Sequence, residues 1–100
     1  MSPAHNVTVL VVDDEAPHAD AVAEALERTN CRCIKAYSGE EALEKIAEGG
    51  IDIVVTDLRM GRVDGLEVVE AARRELVDAE VIVLTAHGTF EVAVEAMSRG

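Results

Sequence analysis

Four short apolar runs recur along the chain, each followed by residues with helical spacing. This alternation constrains the fold more than any other feature. The runs are Val7–Val12, Cys31–Ala36, Ile51–Thr56 and Val81–Leu84. Each has the length of a strand, and the first, third and fourth are rich in valine and isoleucine. They are continuous rather than alternating, with Thr8 the only break in the first, so a sheet covered on both faces is expected. From about Pro17 to Arg28 a helix carries Val22 and Leu26, with Pro17 suited to a first helical position. Ser38-Gly-Glu-Glu41 has the pattern of a capping box, opening a helix with Leu43 and Ile46 that stops at Gly49-Gly50. Asp64-Gly-Leu-Glu67 repeats the pattern, with Asp64 as N-cap and Leu66, Val69 and Ala72 on one side. Thr89 caps a last helix bearing Phe90, Val94 and Met97. Strand and helix in alternation, with short links, mean right-handed βαβ units and a parallel sheet in an α/β, doubly wound domain.

The composition agrees with one domain. The chain has 100 residues, and 49% are hydrophobic but only 2% aromatic, so aliphatic side chains must build the core. No internal repeat, linker or low-complexity tract interrupts it. The formal net charge of −11 repels phosphate backbones, which argues against direct binding of nucleic acid. It suits basic partners or divalent cations. Cys31 and Cys33 have no second pair with which to hold zinc and read as small core residues. The N-terminus lacks the layout of a signal peptide, and Val7–Val12 is far too short to span a membrane. A cytoplasmic location is expected.

In open parallel sheets, ligands sit beyond the carboxyl ends of the strands. The first run ends in Asp13-Asp14-Glu15, the third in Asp57 and the fourth in Thr85-Ala86-His87. If the first and third strands are neighbours, Asp13, Asp14 and Asp57 converge. Three close carboxylates do not all stay ionised unaided, and a hard cation with oxygen ligands such as Mg²⁺ resolves the conflict. Thr85 beside them could hydrogen-bond an oxyanion, and the small Ala86 leaves room for one. Taken singly, Asp13 or Asp14 would serve as a helix N-cap and Asp57 as a turn residue. Together, acids at two buried strand tips and a threonine at a third are poorly explained by caps. His5 and His18 read as surface residues, and His87 as a loop histidine close to the site. Glu40, Glu41, Glu44 and Glu48 form a solvated helix face. Neither glycine-rich phosphate-binding motif occurs, and Asp-Asp-Glu stands where a phosphate cradle would need glycines. No Ser–His–Asp or Cys–His pairing has supporting context.

"VLVVDDE", "VVTDLRMGRVDG" and "VIVLTAHGT" together resemble the receiver domain of two-component response regulators, over essentially the whole chain. "LTAHGTFEVAVEAMSRG" resembles most the nitrogen-regulator type, which precedes ATPase and DNA-binding modules in sigma-54-dependent activators. The resemblance implies a flavodoxin-like sheet of strand order 2-1-3-4. It implies that Asp57 is the phosphoacceptor, taking a phosphoryl group from a sensor histidine kinase. Mg²⁺ would be bound by Asp14, Asp57 and the backbone carbonyl of Arg59, with Asp13 contributing through water. Thr85 would be the switch hydroxyl. The domain would then promote its own phosphorylation and dephosphorylation rather than act as an enzyme on a separate substrate, and would control transcription through an output module.

Two departures stand out. Many receivers have proline at the position of Gly61 and methionine at that of Val63; Gly61 loosens the turn after Asp57. The family's fifth strand carries a lysine that contacts the phosphoryl group, and this strand and the last helix would lie beyond Gly100; Arg99 falls in a helix pattern and does not replace the lysine. A stretch ending there leaves the fourth strand as an edge, and self-association through that region is expected. Two other functions compete. A receiver-like interaction module without phosphotransfer would dispense with the lysine. A Mg²⁺-dependent phosphohydrolase would use Asp57 as nucleophile, but Arg59 stands where a second acid would be expected.

Overall fold

The computed structural model describes residues 7–58, 60 and 63–84. Within them β1 (Thr8–Val12), α1 (Ala16–Glu27), β2 (Arg32–Ala36), α2 (Gly39–Glu48), β3 (Ile53–Asp57), α3 (Gly65–Glu75) and β4 (Glu80–Leu84) follow in order. The strands form one parallel sheet of order β2-β1-β3-β4. The expected last helix at Thr89, with Phe90, Val94 and Met97, lies outside the described residues, as do Arg59, Gly61, Thr85 and His87.

Side chains alternate across the sheet with a period of two, so each strand feeds two cores. Leu10 and Val12 of β1 and Val54 of β3 face α2 and α3, where Ala42, Ile46, Val68, Ala71 and Ala72 meet them. Val9 and Val11 of β1 and Val55 of β3 face α1, against Ala19 and Ala23, with Val22 and Leu26 packed at the margin. Cys31 and Cys33 are free thiols, only partly buried, and pack against the margin of this second core rather than within it. Alanines against valines let α1 lie close to the sheet without an aromatic side chain.

The helix starts follow the sequence signals, with two differences. The Ser38 hydroxyl accepts from the Glu41 N–H at 3.0 Å, but the Glu41 carboxylate accepts from Tyr37 N–H at 2.6 Å rather than from Ser38. The reciprocal half of this capping box is displaced by one residue. At α3 the capping box is complete, with Asp64 and Glu67 each holding the other's backbone N–H. The buried face of α3 is set by Val68, Val69, Ala71 and Ala72, while Leu66 is only half-buried. The buried face is centred on Gly65, Val68 and Ala72, and Leu66 lies about 100° round the helix from Gly65, at the margin of that face. Strand β3 begins two residues later than the apolar run suggested, because the Asp52 carboxylate and backbone instead tie to Thr8 and Glu80.

Candidate functional site: three carboxylates at the carboxyl end of the sheet

Register brings the acids together. β1 and β3 are direct neighbours, with Val12 opposite Thr56. One residue further along each strand come Asp13 and Asp57. Both share the parity of the α1-facing side chains, Val9 and Val11 on β1 and Ile53 and Val55 on β3. Asp13 still belongs to the sheet, since its N–H donates to the Ala36 carbonyl of β2 at 3.1 Å. Asp14, next along, is exposed. Asp13, Asp14 and Asp57 each offer one oxygen, and these oxygens lie within 4.8 Å of one another.

Neither aspartate caps α1. The N-cap is Glu15, and its side chain makes no capping hydrogen bond. Asp13 Oδ1 instead accepts from the Glu15 N–H at 2.9 Å, which turns the chain sharply off β1. Asp13 is buried, at 4% exposure, and its Oδ2 lies 2.6 Å from His18 Nδ1. His18 had only the signature of a surface histidine. Its contact arises because the Asp13–Ala16 turn folds the first turn of α1 back over the strand tip, and periodicity carries no signal for that.

Asp57 is set by its neighbours. Its Oδ1 accepts from the Leu58 N–H at 2.8 Å, which fixes the carboxylate's rotation. The preceding Thr56 is fully buried, and its hydroxyl donates to the Asp57 carbonyl at 2.9 Å. Gly65, the first residue of α3, lies hard against the same backbone and donates its N–H to the Leu58 carbonyl at 2.8 Å. A Cβ at Gly65 would stand 2.6 Å from Leu58 Cα and would also strike the Asp57 carbonyl oxygen. The capping box at Asp64 and this close approach together clamp the loop after Asp57 onto α3. The glycine in "VDG" is thus a packing requirement of the site. Among the described residues no buried side-chain polar atom lacks a partner.

At the same end of the sheet, beyond β2, the Tyr37 hydroxyl donates to Asp20 Oδ1 at 2.8 Å and Lys35 Nζ lies 3.2 Å from the same oxygen. These bonds hold the Asp20 carboxyl below its ordinary range, the Tyr37 bond first. They raise Tyr37 and Lys35, for each of which the bond to Asp20 is the largest cause. Burial, more than the nearby Glu27, raises the Cys33 thiol.

The donor set of three clustered, hard oxygen ligands fits a divalent cation of the Mg²⁺ or Ca²⁺ kind. Comparison with known proteins names the family. The response regulator receiver domain matches residues 9–100. The chain belongs to that family. The transcriptional regulatory protein ZraR of Klebsiella oxytoca is 34% identical over 94 residues; the match covers 94% of this chain and 21% of ZraR. The chain therefore spans about a fifth of the length of that relative. The response regulator TrrA of Thermotoga maritima, solved in complex with Mg²⁺-BeF, superposes with a TM-score of 0.82 at 34% identity, covering 92% of this chain and 80% of TrrA. A response regulator of Burkholderia pseudomallei, solved with a phosphorylated aspartic acid, a calcium ion and citrate, superposes at 0.84 with 28% identity, covering 94% of this chain and 55% of that one. The strand order 2-1-3-4 expected of a receiver is the order found. Among the described residues no helix is long and apolar enough to cross a membrane.

Proposed function

We propose that this receiver accepts a phosphoryl group on Asp57 from a sensor histidine kinase, with Mg²⁺ held by Asp14, Asp57 and the Arg59 carbonyl, and with Asp13 acting through water. The observation that carries the reading is the convergence of Asp13, Asp14 and Asp57 within 4.8 Å at the carboxyl end of the sheet. The chemistry such a receiver performs is transfer. An oxygen of the Asp57 carboxylate attacks phosphorus, the phosphorus–nitrogen bond to the kinase imidazole breaks, and an aspartyl phosphate forms. Positioning and charge neutralisation are what this reaction needs from a protein. Leu58 N–H orients the nucleophile, and α3 holds the following loop through Gly65 and Asp64. The cation, when bound, offsets the charge on the carboxylates and the incoming phosphoryl oxygens. Thr85 is the switch hydroxyl in this reading, and its movement toward the phosphoryl group shifts the population of two receiver states.

The parent protein relays this change to transcription in the cytoplasm, through an ATPase or DNA-binding output module of the sigma-54-dependent type. The likeness to ZraR, a transcriptional regulatory protein, supports the link to transcription. A second copy of the chain is the proposed occupant of the β4 region, a reading supported by Ile82, which is 48% exposed on a strand. Sedimentation should show a concentration-dependent dimer; a monodisperse monomer at micromolar concentration contradicts it.

The test of phosphotransfer is chemical. Incubated with Mg²⁺ and a small acyl phosphate, the chain should gain one acid-stable, base-labile phosphoryl group, mapped to Asp57. Asp57→Asn should gain none. Failure of the parent-length protein to label at Asp57 overturns the proposal, and steady turnover of phosphate esters would favour a hydrolase.

A further inference from the structure

The mechanism leaves the contact between His18 and Asp13 unused. His18 is the third residue of α1, after Ala16 and Pro17, and its side chain is 45% exposed at the rim of the acidic cluster. Asp13 beside it is nearly inaccessible. A carboxylate oxygen only accepts, so the proton in the 2.6 Å contact belongs to Nδ1. With Oδ1 bonded to Glu15 N–H and Oδ2 to His18, both oxygens of Asp13 are engaged by the protein.

We propose that His18 is a placeholder for the divalent cation: its Nδ1–H satisfies buried Asp13 while no cation is bound, and gives up Oδ2 to a metal-bound water when one binds. The proposal rests on the reading of Asp13, Asp14 and Asp57 as a Mg²⁺ site. The physical argument has three parts. Glu15 N–H serves only Oδ1, so the buried Oδ2 needs a donor of its own when no cation-bound water supplies one. Mg²⁺ keeps several waters, and a water donating to Asp13 competes with the imidazole for the same oxygen. The imidazole can leave cheaply, because it is half-exposed and a side-chain rotation takes it into solvent. Pro17 fixes the backbone just before it, so the helix itself need not move. His18 is therefore a positioning residue, acting on the cation only through Asp13.

The expected result is opposite to that of a supporting ligand. Removing a supporting residue weakens metal binding, whereas removing a competitor strengthens it. His18→Ala should bind Mg²⁺ about three- to tenfold more tightly than the wild type, the span of one ordinary hydrogen bond. In His18→Asn the amide nitrogen stands where Nδ1 stood and can donate to Oδ2, which should restore affinity to within about twofold of wild type. The spectroscopic readout needs no variant to be interpreted. In the full chain at fixed pH, NMR signals of the His18 imidazole nitrogens should move to solvated values during a Mg²⁺ titration. Their midpoint should match the one found by calorimetry. The His18→Ala spectrum assigns them against His5 and His87. Saturable Mg²⁺ binding with unmoved His18 signals, or unchanged or weaker binding in His18→Ala, overturns the placeholder alone. Absence of Mg²⁺ binding by the wild type overturns the cation reading itself, and the placeholder with it.

Discussion

At the scale of single residues, the environment of each acid separates its role. Asp64 and Glu67 serve a helix start, Asp20 serves a surface triad, and Asp13, Asp14 and Asp57 share one space. Tyr37 is the only tyrosine and the chain has no tryptophan, so phenolate absorbance reports this group alone. Its titration midpoint should lie above the ordinary value of about 10, because ionisation breaks the bond to Asp20 and then sets two negative charges side by side. Asp20→Asn should bring the midpoint back toward the ordinary value. The sign for stability follows. Tyr37 and Lys35 are raised in the folded state, so their contribution is present at neutral pH and fades as pH rises through their folded values. Asp20 is lowered, so its contribution is lost as pH falls through its folded value. A Tyr37 midpoint that Asp20→Asn leaves unmoved contradicts this account.

At the scale of elements, the site depends on how α3 meets the end of β3. Gly65→Ala places a methyl group against the backbone of Asp57 and Leu58, and backbone cannot swing aside as a flexible side chain can. The expected loss is about 1–3 kcal/mol or more by denaturant unfolding, with a fall in labelling of Asp57 by acyl phosphate beyond the loss of folded protein. Wild-type stability and labelling in Gly65→Ala would show that the loop does not need this approach. Much of the element scale was legible in the sequence. The four apolar runs became four strands, and Ser38 and Asp64 capped their helices, because burial and capping are local signals. What was not legible arose where two elements meet. Leu66 follows the helical period, yet it is only half-buried, because α3 turns the face of Gly65, Val68 and Ala72 to the sheet and leaves Leu66 at its margin. His18 has no periodic reason to touch Asp13; the turn through Asp14 and Glu15 puts it there. Gly65 reads as an ordinary turn glycine until the backbone of β3 is seen beneath it. The Arg59 carbonyl as a ligand, Thr85 as a switch and Gly61 as a departure rest on the family resemblance, and these residues lie outside the described part of the structure.

At the scale of the whole molecule, the two central strands, β1 and β3, are largely buried on both faces and hold Asp13 and Asp57 by register, which concentrates three carboxylates at one end. Three carboxylates in one place destabilise the cation-free fold, while a cation that binds only the folded chain stabilises it by mass action, about 2.7 kcal/mol at a hundred times its Kd. Asp57→Asn should therefore melt higher than the wild type without Mg²⁺ and gain less when Mg²⁺ is added. The central claim, that Asp13, Asp14 and Asp57 act as a single cation site, is tested most directly by calorimetric titration of Mg²⁺ into the wild type and the three single Asp→Asn variants. One site in the wild type is predicted, with affinity reduced about tenfold or more, roughly 1.4 kcal/mol, in Asp14→Asn and Asp57→Asn and to a smaller degree in Asp13→Asn. Wild-type affinity in all three variants would contradict it.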